Sequence, residues 1–192
     1  SSGLGAAGAA PAAGRSDWGL FACARRDEAG GAQVLTYAME PPRKGCEAAV
    51  SVVKPITGAG TALMHGDFAR RASPSLEALS WRVATRRKLF KGKRVLELGA
   101  GLGLTGLACA AWTEAEAVDL TDGDPAVVAT LQRSIRLNEA SGVFGETRVR
   151  GSLLHWDTSG ASRSELSEQY DIILAGDTVY QVDSHTAQLA TM

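Results

Sequence analysis

The chain has 192 residues, 45% hydrophobic and 21% charged, enough to bury the core of an α/β domain and too apolar for a disordered tail. Twenty basic against 21 acidic residues leave a formal net charge of −1, which argues against a general nucleic-acid footprint. Cys23, Cys46 and Cys109 are odd in number and lack a CxxC pair, excluding a disulfide framework and a standard zinc knuckle, and no apolar run nears the roughly 20 residues that cross a bilayer.

Residues 1–16 are a Gly/Ala-rich, low-complexity stretch and are expected to be a flexible leader. They lack the basic start and bulky apolar centre of a secretory signal. From Asp17 the texture changes. Leu20–Ala24 and Gln33–Tyr37 read as two strands around a charged turn ending in Gly30-Gly31, and Cys46–Val53 as a third. Residues 17–68 are therefore expected to form a small β element, with Gly58–Gly66 as loop. Residues 69–192 would form the larger domain.

That domain opens with Ser73-Pro74, an N-cap followed by a first-turn proline, and a helix with Leu76, Leu79 and Val83 at helical spacing. Arg82, Arg86, Arg87 and Lys88 crowd its second half and read as a solvated face that could steer an acidic partner. Beyond it, Arg94–Leu98 is a short apolar strand, Leu104–Trp112 a helix and Ala115–Thr121 a second strand. Asp124-Pro125 caps a helix carrying Val127, Val128, Leu131 and Ile135 inward. Thr147–Leu153 and Tyr170–Ala175 are two further strands. Strands alternating with helices predict an α/β fold with a parallel, doubly wound, Rossmann-like sheet.

The residues that carry chemistry follow the first of these strands: Glu97-Leu98-Gly99-Ala100-Gly101-Leu102-Gly103. Glycines at 99, 101 and 103 let the backbone turn tightly and approach a ligand, while the next helix aims its N–H groups at the same space. Asp122, at the end of the second strand, is placed to accept ribose hydroxyls. Together they predict a nucleoside-cofactor site. Gly101–Gly106 also satisfies the GxGxxG dinucleotide pattern, so NAD remains an alternative on spacing alone. The acidic Glu97 ahead of Gly99 favours S-adenosylmethionine, with Glu97 toward its methionine end. Trp156 and Asp157 follow the third strand, where a ring and a carboxylate could meet adenine. Asp177 and Tyr180 follow the fourth. His65, His155 and His185 share no metal-ligand spacing, so no metal is expected.

From Ser73 to Tyr180 these residues resemble methyltransferase family 16, the seven-β-strand protein-lysine methyltransferases. The resemblance rests on LFKGKRVLELGAGLGLTGL, Leu120-Thr121-Asp122-Gly123, Leu154-His155-Trp156-Asp157 and the D-x-x-Y of Asp177–Tyr180. Gly142-Val143-Phe144 and the spacing to Tyr170–Ile173 bring it nearest to members acting on calmodulin. The resemblance implies methyl transfer from S-adenosyl-L-methionine to a lysine ε-amine of a protein, in the cytoplasm or nucleus, with no nucleic-acid or membrane partner. Asp177 would orient the amine and Tyr180 would line the lysine channel. Two departures stand out. Ser73-Pro74-Ser75 replaces the family's common Trp-Pro-Ser, and the family's sheet has three further strands beyond those found here. A chain incomplete at its C-terminus, and with it an inactive cofactor-binding module, is the second expectation.

Overall fold

The computed structural model describes residues 14–28, 31–55, 73–159, 166, 169–179 and 185–192. Two four-stranded sheets organise them. The first is antiparallel, in the order β1-β2-β3-β4, with β1 Gly14–Arg15, β2 Ala22–Glu28, β3 Ala32–Ala38 and β4 Val50–Pro55. The second is parallel and contains β5 Arg94–Leu98, β6 Ala117–Asp122, β7 Arg148–Leu153 and β8 Ile172–Ala175, in the spatial order β7-β6-β5-β8. The helices are α1 Pro74–Thr85, α2 Leu104–Trp112, α3 Pro125–Ala140 and α4 His185–Thr191.

Local chemistry accounts for the helix starts. Ser73 Oγ accepts the Leu76 N–H at 3.1 Å, and Asp124 Oδ1 accepts that of Ala126 at 2.8 Å, each just ahead of a proline. The parallel strands begin and end within about two residues of expectation.

The front of the chain differs more. The charged Arg25–Glu28 belongs to β2, because its side chains lie along an exposed stretch while its backbone pairs with Ala32–Leu35. Residues 46–49 are not strand; the Cys46 N–H closes a turn onto Arg43, and β4 starts at Val50. Gly14 and Arg15 pair with β2, and Ser16 is buried, so the expected leader does not extend through these three residues. Residues 1–13 and the expected loop at 58–66 lie outside the described residues.

One continuous core joins the two sheets. Phe21, Cys23, Leu35, Tyr37, Val50 and Val52 pack in the same cluster as Val83, Leu104, Leu107, Trp112 and Leu131. Polar groups bind the front sheet as well. The buried Glu77 of α1 accepts from Ser16 Oγ at 2.7 Å and from the backbone N–H groups of Trp18 and Leu20 at 3.2 and 3.3 Å. Side chains of α3 satisfy the outer edge of β4. Ser134 Oγ accepts the Val53 N–H at 2.8 Å, and Asn138 both accepts from the Ser51 N–H and donates to its carbonyl.

The opposite face of the parallel sheet carries Leu96 and Leu98, covered by Leu154, Trp156, Leu166 and Tyr170. From β5 the chain steps outward to β6 and β7 and then returns to the other side of β5 as β8. A crevice at the carboxyl ends of such a sheet opens where the order reverses, here between β5 and β8.

Candidate cofactor site

The glycine turn lies at that reversal point. Gly99, Gly101 and Gly103 all have positive φ, at 60°, 54° and 78°, a backbone that other residues adopt only with strain. Their reasons differ. A Cβ on Gly103 would meet Leu131 Cδ2 at 2.4 Å and Leu120 Cδ2 at 3.0 Å, so this glycine lets α2 seat closely on β6 and α3. A Cβ on Gly99 would meet Thr178 Cγ2 at 3.0 Å and Trp156 Cζ2 at 3.3 Å. Gly99 therefore keeps open the spot where the segments after β5, β7 and β8 converge.

Two carboxylates secure the turn from opposite ends. Glu97, 2% exposed, accepts the Gly106 N–H on Oε2 at 2.9 Å and a hydrogen bond from the Thr105 hydroxyl. Burial pushes its pKa up to about 8, against the pull of those two donors, with the nearby Asp122 charge adding to the rise. Asp122, at the end of β6, accepts the Gly101 N–H on Oδ2 and the Asp124 N–H on Oδ1, both at 3.0 Å. Burial raises its pKa, opposed by its backbone donors. The Asp122 carboxylate retains acceptor capacity for a further hydroxyl.

Trp156 packs against Leu96, Leu98 and Leu154 as well as facing Gly99. Asp157 Oδ1 accepts the Ser159 N–H at 2.8 Å and its hydroxyl at 2.7 Å, the bonding of a turn. Asp177 is exposed just past β8, with φ 60°, a left-handed backbone that aspartate tolerates better than most residues. Tyr180 lies outside the described residues. The structure thus brings Glu97, the three glycines, Asp122 and Trp156 around one turn, with Asp177 just past the end of β8, the strand beside it.

Sequence reasoning passed over Thr105, Thr178 and the packing role of Gly106. Gly106 stands in the glycine motif itself, yet only the structure shows its Cα position facing the Glu97 carboxylate. No cluster suited to a metal ion occurs among the described residues. A cleft of about 390 Å³ lies elsewhere, along the outer edge of β7 between Gln132, Arg136, Ser152 and Tyr170, and none of the expected site residues lines it.

Comparison with known proteins gives the family. The lysine methyltransferase family profile matches residues 63–192. Calmodulin-lysine N-methyltransferase of Arabidopsis thaliana is 43% identical over 112 residues, covering 58% of this chain and 36% of that protein. Protein N-lysine methyltransferase METTL21A of Danio rerio is 36% identical over 105 residues, covering 54% and 44%. The crystal structure of the SAM-dependent methyltransferase from Agrobacterium tumefaciens matches with a TM-score of 0.40 at 17% identity, covering 78% of this chain and 41% of that one. The match therefore spans less than half the length of these relatives. With the family profile covering most of the chain, on a parallel sheet whose glycine turn and Asp122 fit a nucleoside, the chain belongs to the lysine methyltransferase family, whose cofactor is S-adenosyl-L-methionine.

Proposed function

We propose that this chain carries the cofactor-binding part of an enzyme that methylates a lysine of a protein, with calmodulin the leading substrate. The observation that carries the reading is the position of Asp122. It lies at the carboxyl end of β6, tied to the Gly101 N–H, with acceptor capacity left on its carboxylate. That is the donor–acceptor pattern a ribose diol requires. Similarity to the Arabidopsis calmodulin-lysine N-methyltransferase supports the substrate.

Bound S-adenosyl-L-methionine supplies an electrophilic methyl group on a sulfonium. The work of the chain is alignment and desolvation. Glu97 acts through the turn: its carboxyl group holds the first turn of α2 by the Gly106 N–H and keeps the Gly99–Gly103 backbone facing the cofactor. Asp122 receives the ribose hydroxyls. The Trp156 ring, beside Gly99, walls the nucleoside, and the neighbouring Asp157 carboxylate meets the adenine amino group. Asp177 receives the lysine amine, which must be uncharged to attack because an ammonium has no lone pair. Partial desolvation in the crevice lowers the lysine pKa and favours that form. Tyr180 lines the lysine path with an aromatic face, following its place in the D-x-x-Y motif. Action in the cytoplasm or nucleus follows from the same reading.

Isothermal titration with S-adenosylhomocysteine, with NADH as control, tests the cofactor half. Saturable binding of S-adenosylhomocysteine alone, lost in Asp122→Ala, is the expected result. Binding of NADH alone would overturn it in favour of an oxidoreductase. Transfer of labelled methyl groups to calmodulin then tests the substrate half. Cofactor binding without transfer would leave the chain a cofactor-binding module.

A further inference from the structure

A concentrated basic face occupies the pole of the molecule opposite the glycine turn. Arg82 and Arg86 lie one helical turn apart on the end of α1, and Arg87 and Lys88 follow in a 3-10 turn over Arg87–Leu89. The loop from Arg43 folds against them. The Arg43 guanidinium lies over the Trp81 ring, 5.1 Å from its centroid. Arg87 packs so closely on Gly45 that a Cβ there would fall 1.4 Å from Nη1. Lys44 is exposed on the same loop. Leu89, which follows Lys88 at the end of the 3-10 turn, is 62% exposed.

Internal pairing explains the other charges at this pole but not these. Lys91 is bridged to Glu114 at 2.7 Å, Lys93 to Asp171 at 3.1 Å and Arg148 to Glu116 at 3.0 Å. Among the described residues, Lys44, Arg82, Arg86 and Lys88 have no such carboxylate partner. Glu47, exposed near Arg87 and Lys44, and Glu114, near Arg87, offset part of this charge. The whole chain nevertheless carries a net charge of −1, so the asymmetry is local. A helix C-terminus favours cations, but by only about 0.3–1 kcal/mol each, and that effect fades within the last turn, whereas the cluster continues into the 3-10 turn and a separate loop.

We infer that this face docks a carboxylate-rich surface of a protein partner, with an apolar side chain of the partner covering Leu89. Exposed cations with an exposed apolar side chain in the same turn match such a surface, since charge complementarity speeds encounter and the desolvated apolar contact slows release. The face lies behind the strands, about 17 Å from the glycine turn along the five residues of β5. A partner held here is engaged outside the site of chemistry. The inference depends on the proposed function only in the choice of calmodulin, an acidic protein, as probe.

The test is a titration of fluorescein-labelled calmodulin, read by anisotropy, at several salt concentrations. The wild-type chain is expected to bind, with affinity falling steeply as salt screens the contact. Arg86→Glu with Lys88→Glu should weaken binding at least tenfold. Leu89→Ala should weaken it severalfold while leaving the salt dependence intact. Asp122→Ala should bind as the wild type does, so loss of S-adenosylhomocysteine binding with retained calmodulin binding would sink the methyltransferase reading alone. Thermal melts matching wild type confirm that the charge-reversed variant is folded. No binding by wild type, equal binding by the charge-reversed variant, or displacement of calmodulin by a 20-nucleotide single-stranded DNA would each overturn the inference.

Discussion

The Glu97 carboxylate and the Gly106 backbone are fitted to each other. Glu97 Oε2 accepts the Gly106 N–H at 2.9 Å, and a Cβ on Gly106 would lie 2.5 Å from that same oxygen and 2.8 Å from Leu120 Cγ. Either the hydrogen bond or a side chain at 106 can exist in this packing, but not both undisturbed. Gly106→Ala is therefore expected to destabilise the fold by about 1–3 kcal/mol, although alanine is ordinarily the better helix former. Urea denaturation checks this. An alanine variant as stable as wild type would mean that α2 slides off β5 at no cost.

The same carboxyl group makes stability depend on pH. Glu97 has its folded pKa raised from 4.5 to about 8, chiefly by burial. A group raised in this way retains more protons folded than unfolded between those two values. Stability is greatest below about pH 4.5 with respect to this residue and falls as pH rises toward 8. The slope is up to about 1.4 kcal/mol per pH unit. Glu97→Gln, which cannot ionise, should flatten that part of the profile. Denaturant midpoints at pH 5, 6, 7 and 8 for both proteins supply the comparison.

Asp119 behaves in the opposite sense. Burial alone would raise its pKa, but bonds from Arg150 Nε and Nη2 at 2.9 and 2.7 Å, and from the Tyr170 hydroxyl at 2.5 Å, outweigh it and hold the carboxyl below its ordinary value. Its contribution is present above about pH 3.8 and is lost as pH falls through the lower folded value. Asp119→Asn should cost about 2 kcal/mol at neutral pH, a modest figure because Arg150 is half exposed and partly screened, and the difference should be smaller at pH 3. Calorimetric melts at the two pH values measure it.

Asn138 and Ser134 close an edge that would otherwise be open. Removing Asn138 leaves the Ser51 N–H and carbonyl without their helix partner, and removing Ser134 does the same to the Val53 N–H. Asn138→Ala is expected to cost about 1–3 kcal/mol. Amide exchange at Ser51 and Val53 should accelerate before exchange at β5 and β6. Unchanged protection at Ser51 would show that the edge is held by packing alone.

The parallel sheet, the helix starts and the glycine turn were legible in the sequence because each has a local cause. Ser73-Pro74 and Asp124-Pro125 satisfy orphan N–H groups within three residues, and Arg94–Leu98 is apolar because both its faces are covered. The alternation of such segments leaves few ways to connect them. What sequence could not decide is what meets across the fold. Arg25–Glu28 reads as a charged turn because nothing local reveals that Ala32–Leu35 lies alongside it. Ser16 reads as leader because its partner, Glu77, is 61 residues away. Trp156 and Thr178 converge on Gly99 only because β8 returns to the far side of β5, and Gly106 is a packing glycine only because Glu97 turns beneath α2. Short-range hydrogen bonding and periodicity determined the elements. Long-range packing, which no window of neighbouring residues contains, decided which side chains share the site.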